Sequence, residues 1–218
     1  MLESQNSQVF QRYRTMNMIP ITYSRALALS CLVVLVEICI YLLSDQFIEN
    51  TFDVYQISAR YSARVSYLLF IGILLWTGVS GLRQIYSSEN KRQWFVALIF
   101  ALFFNHLIHF YFLANNLRLK GIALFHFGNT PGIIAYLILT LSPFFLWSKR
   151  DLTSSLYKKI LFGLMMVMAL FLGTYIKRLS QQMDIPISKL LIVSNLTILL
   201  FLLVINVFRV FVESKKST

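Results

Sequence analysis

Residues 26–43 read Ala-Leu-Ala-Leu-Ser-Cys-Leu-Val-Val-Leu-Val-Glu-Ile-Cys-Ile-Tyr-Leu-Leu, an apolar run broken by one acid, Glu37. A run of this length can cross roughly 30 Å of hydrocarbon as an α-helix. A carboxyl group in that setting is costly, so an intramembrane acid is a candidate functional group by default. No Lys or Arg lies within the run to neutralise it.

The rest of the chain is of the same kind. Of its 218 residues 57% are apolar, 15% aromatic and 13% charged, and the mean hydropathy is +0.67. A soluble domain carries about a quarter charged residues. Five more apolar stretches follow, at 65–82, 93–114, 131–147, 158–176 and 189–212. None alternates apolar with polar positions as a membrane barrel strand would. The expected fold is therefore all-α: a six-transmembrane-helix bundle over 25–212, preceded by a polar segment 1–24 and followed by a short tail 213–218. Pro131 and Pro186 fit helix starts, where a missing amide hydrogen costs little. Pro143 lies inside the fourth span and should kink or end it.

Lys and Arg set the orientation. With the amino terminus inside, 13 of the 20 basic residues fall on the cytoplasmic side, among them Arg12, Arg14, Arg83, Lys91, Arg92, Lys149 and Arg150. Seven fall outside, so the charge bias places both termini in the cytoplasm. The net charge of +11 follows largely from this asymmetry and from attraction to anionic headgroups. Nucleic-acid binding is not expected, because no segment is long enough to build a basic soluble module. No small-residue cleavage site follows the first run, which is expected to stay as an anchor. Cys31 and Cys39 share one helix about 12 Å apart, too far for a disulfide, and read as small packing residues. Asn195-Leu196-Thr197 matches a glycosylation triplet but lies inside the sixth span.

The polar residues within the spans are the candidate site. At 100° per residue Ser30, Glu37, Tyr41 and Ser44 fall within about 60° of one another. Asn105, His109 and Asn116 do the same on the third span, and His106 is about 60° from His109. With helices one and three running outward, Glu37 and the two histidines share a level in the outer half. Tyr67, Tyr175 and Asn195 reach comparable heights. These residues are expected to line an outward-facing polar pocket closed below by Leu and Phe. Three uses suit it. Glu37, His106 and His109 are a ligand set for zinc or iron; Glu37 with a histidine is a relay for a proton-coupled carrier or channel-like subunit; and imidazoles of His106, His109 and His126 are axial ligands for one b-type haem. A structural subunit with an internally satisfied polar core is the alternative to all three. No nucleophile elbow or phosphate-binding loop is present.

The stretch Phe125-His126-Phe127-Gly128-Asn129-Thr130-Pro131-Gly132-Ile133-Ile134-Ala135-Tyr136-Leu137-Ile138-Leu139-Thr140-Leu141-Ser142-Pro143 resembles a helix entry of the ferric-reductase-like transmembrane family. Members of that family show His, a Gly, an Ala a few residues on, a Leu-rich run, then Thr or Ser with Pro. Asn105-His106-Leu107-Ile108-His109 is similar to a segment of its small bacterial relatives. The resemblance implies a redox or accessory electron-transfer subunit of a bacterial cytoplasmic (inner) membrane, holding b-haem between helices and working with a membrane or periplasmic partner. The chain departs from the family at Ser155–Leu161, where Lys158 and Lys159 stand in place of a histidine. With three histidines in all, two-haem conduction is excluded, and a single outer haem or a relative that has lost haem is what the resemblance leaves.

Overall fold

The computed structural model of this chain describes residues 23–123, 130–148, 154–181 and 186–215. His126 and all but the last two residues of the 1–24 segment lie outside the described residues. Seven helices and no strand occur among those described: α1 (Ser24–Phe47), α2 (Thr51–Ser80), α3 (Leu82–Ser87), α4 (Glu89–Leu119), α5 (Thr130–Ser148), α6 (Ser154–Gln181) and α7 (Pro186–Lys215). Five of them carry segments long and apolar enough to cross a bilayer: Ser24–Phe47, Asp53–Ser80, Glu89–Leu119, Ser155–Gly173 and Ile192–Val212. The apolar part of α5, Gly132–Leu146, is shorter. The chain is a multi-pass membrane protein.

Its surface is that of a protein dissolved in lipid. On α1, Leu27, Leu32, Leu35 and Leu42 are 56 to 68% exposed, whereas Glu37 is fully buried. The inward face of α1 consists of Ala26, Ser30, Val33, Glu37 and Ser44. Water would drive the opposite arrangement, leucines in and carboxyl out. In hydrocarbon, leucine gains nothing by burial, so small residues and hydrogen-bonding groups take the helix interfaces. Cys31 and Cys39 follow the same rule in reverse. Expected as packing residues, both are exposed on the outward face as free thiols.

Helix α4 occupies the centre, packing on α1, α2, α3 and α5, while α7 packs on α6 and α2. Helix α2 begins at Thr51, well before the apolar span expected from residue 65. The additional turns present Ser58 and Ser62, which continue with Ser66 at four-residue spacing, all buried. Their small side chains permit close approach of α1 and α4, and this packing carries the helix through polar sequence that hydropathy assigns to a loop. Helix α2 stops at Gly81, whose φ of 76° and ψ of 150° suit a residue without a Cβ. Helix α5 begins one residue before Pro131 and α7 begins at Pro186, both as expected. Pro143 does not end α5, which continues to Ser148.

A polar clamp fixes the end of α2 to α7. Fully buried Asn206 donates through Nδ2 to the carbonyls of Leu74 and Leu202, each at 2.8 Å. Its Oδ1 accepts from Thr77 Oγ1 at 2.7 Å. One turn further on, Arg209 donates through Nε to the Gly78 carbonyl at 2.9 Å and through Nη2 to the Val79 carbonyl at 2.8 Å. The last carbonyls of a helix lack partners within it, and α7 supplies them. Gly78 permits the contact, since a Cβ there would stand 2.7 Å from Ile205 Cγ2.

Candidate functional site: a buried carboxyl at a three-helix junction

Glu37 meets α2 and α4 near the mid-length of all three helices. Asn105 of α4 donates through Nδ2 to Glu37 Oε1. The hydroxyl of Ser66, from α2, donates to Asn105 Oδ1. The Ser66 oxygen also faces His106 Nδ1 at 3.4 Å. Because that hydroxyl proton is committed to Asn105, the serine oxygen is left to accept. A weak bond to His106 then requires the Nδ1–H tautomer, a choice set by the partner rather than by the ring. The result is one chain of side chains, Glu37–Asn105–Ser66–His106, drawn from three helices.

The partners of Glu37 are neutral. Ser62 lies beside the same carboxyl without completing a hydrogen bond, and Oε2 has no hydrogen-bond partner in the protein. The Oγ atoms of Ser58 and Ser62, Nδ1 of His109 and Oδ1 of Asn116 are buried in the same condition. A buried polar group left unsatisfied costs about 1–3 kcal/mol. Such groups are few in native proteins, and each calls for an explanation. Five of them gather on the α1–α2–α4 interface.

The histidines lean on α5. The ring centroid of Tyr136 is 4.2 Å from that of His106 and 6.2 Å from that of His109, the latter nearly parallel at 12°. Phe110 closes edge-on against Tyr136 at 4.9 Å. The two imidazoles are 5.8 Å apart, and His109 also contacts the Ala59 backbone.

Several expected pocket residues come together and others do not. Glu37, Asn105 and His106 form the chain just described, His109 sits beside it, and Asn116 is buried two turns above His109. Tyr41 joins an aromatic group instead, stacked on Phe112 at 5.9 Å and tilted against Tyr55 at 5.9 Å. Tyr67 is half-buried against the apolar core. Asn195 is on α7, half-buried, and that helix packs on α6 and α2. The Tyr175 side chain lies outside the described residues. Along their helices Glu37 and Asn105 stand near mid-length.

Glu37, His106 and His109 do not come together as a ligand set for zinc or iron. Among the described residues no three of His, Cys, Asp and Glu converge as a metal-binding group, and Glu37 reaches His106 only through Asn105 and Ser66. His106 and His109 are one turn apart on one helix, so a porphyrin between them would have to occupy that turn. The second axial ligand would have to be His126, outside the described residues.

The residues that sequence reasoning missed are Ser58, Ser62, Ser66 and Tyr136. The serines had a legible signal, a hydroxyl every fourth residue, but starting the span at residue 65 left two of them in a supposed loop. No protein-family model, curated protein or solved structure matches this chain.

Proposed function

We propose that this chain is a proton-coupled carrier or channel-like subunit of a bacterial cytoplasmic membrane, with Glu37 as its proton-binding group. The observation that carries the reading is the half-satisfied carboxyl. Asn105, oriented by Ser66, holds Oε1, and Oε2 has no partner in the protein. An amide N–H donates to Oε1 whether the carboxyl is charged or neutral. Protonation and release at Oε2 therefore need not break the junction. The Ser66–His106 contact extends the junction toward a second titratable group. A six-span topology with both termini cytoplasmic belongs to the same proposal. It takes the apolar helix Gly132–Leu146 as a further crossing and rests on the distribution of Lys and Arg. A satisfied structural core would give no reason to leave a carboxyl oxygen and neighbouring hydroxyls without partners.

Two measurements test it. In pH-difference infrared spectra a protonated-carboxyl stretch should appear and be lost in Glu37→Gln. In proteoliposomes under an imposed pH gradient, proton uptake should fall to the protein-free leak in the same variant. Uptake equal to that of the unsubstituted protein would dismiss Glu37 as the proton site.

A further inference from the structure

Five of the buried polar atoms without protein partners follow one another along the α1–α2–α4 interface, apart from the hydroxyls of Ser30, Tyr136 and Tyr157. Glu37 Oε2 and Ser62 come first, together at the carboxyl. Ser58 follows one turn along α2, on the same face as Ser62. His109, which touches the backbone of Ala59 next to Ser58, presents Nδ1, and Asn116 presents Oδ1 two turns further along α4. Helices α2 and α4 pair antiparallel, as Ser66 against Asn105 and Gln56 against Lys120 show. Falling numbers on α2 and rising numbers on α4 therefore lead to the same end of the bundle. There the Lys120 ammonium donates to Gln56 Oε1 at 2.5 Å, a polar mouth.

The opposite direction is closed. Beyond Glu37 come the buried apolar side chains of Val33 on α1, Phe70, Ile73 and Leu74 on α2, and Ile99 and Leu102 on α4, none more than 6% exposed. Ser30, whose hydroxyl also lacks a protein partner, lies on the far side of Val33.

We infer that a one-sided file of internal water runs from the Gln56–Lys120 end of the bundle, past Asn116, His109, Ser58 and Ser62, to Glu37, and stops on the apolar core. Buried polar groups without protein partners are the places where structural water binds, each molecule making two to four hydrogen bonds. A hydroxyl can donate and accept, an amide oxygen accepts, and a neutral imidazole does one at each nitrogen. The row therefore offers both kinds of site at successive turns. The file deepens the proton-carrier reading and rests on that reading for its purpose. It names the side from which protons reach Glu37.

Cysteine accessibility in sealed vesicles tests the file apart from transport. In a Cys31→Ala, Cys39→Ala background, single variants Asn116→Cys, Ser62→Cys, Ser58→Cys, Val33→Cys and Leu74→Cys are exposed to Ag+ or to 2-aminoethyl methanethiosulfonate. Thiols still free are then counted with a fluorescent maleimide after denaturation. Positions 116, 58 and 62 should be blocked from the face at which α4 ends, and blocking should be lost at 33 and 74. Protection of 58 and 62 equal to that of 74 overturns the file, and blocking from the other face overturns its direction. Radiolytic hydroxyl labelling of the unsubstituted chain is a check that no variant can confound. His109 should be oxidised and Phe70 spared; equal protection of both counts against the file. Blocked cysteines with no proton flux would keep the file and dismiss the carrier.

Discussion

Two buried polar groups in this molecule are solved in opposite ways. At the α2–α7 clamp the Asn206 side chain finds partners for both its donor and its acceptor, and Arg209 meets the last carbonyls of α2. At the α1–α2–α4 junction Glu37 has one oxygen held and one free, with serine hydroxyls beside it in the same state. Both lie inside an apolar shell, where an unmet hydrogen bond is expensive. The clamp uses its polarity to join helices. The junction keeps capacity in reserve, as a site that exchanges a proton or a water would.

Substitutions can break or sharpen that contrast, each read as a shift in unfolding free energy by titration in mixed micelles. The largest effect is expected for Asn206→Leu, which removes both hydrogen bonds of this amide to α2, to the Leu74 carbonyl and from Thr77, and should cost about 2–3 kcal/mol. Gly78→Ala should follow at about 1–3 kcal/mol, because its Cβ meets Ile205 Cγ2 at 2.7 Å in a packed interface. Ser66→Ala removes one orienting bond and should cost about 1 kcal/mol, with a loss of proton uptake out of proportion to it. Glu37→Gln should change stability least, by under about 1 kcal/mol, since the amide still offers Asn105 an acceptor oxygen, while abolishing uptake. If Glu37→Gln destabilised the bundle as much as Asn206→Leu, the junction would be a second clamp and the contrast would collapse.

The legible part of the site was the part confined to single helices. The stripe Ser30–Glu37–Ser44 and the face holding Asn105 and Asn116 were expected from the 100° repeat, and these residues are buried. Neither face carried any sign of its cross-helix partner. Ser66 is unremarkable in sequence and becomes essential to Asn105 only because α2 passes beside α4. Tyr41 shows the converse. It shares the Glu37 stripe, yet its ring is drawn to Phe112 and Tyr55, since an aromatic side chain gains more from ring contacts than from a polar neighbour. Asn206 was overlooked within a long apolar run, although an amide there is as anomalous as the acid in α1.

Composition and hydropathy by themselves determined that this is a helical membrane protein, and where most of its helices lie. Transfer to hydrocarbon is close to a sum over residues, and the α-helix satisfies its backbone locally. Tertiary structure alone decided that α2 runs back to Thr51, that Arg209 closes its other end, and that Glu37 answers to Asn105 before either histidine. Those outcomes depend on which helices touch and at what register, and in a bilayer that choice is made by close packing and interhelical hydrogen bonds, which no single segment encodes.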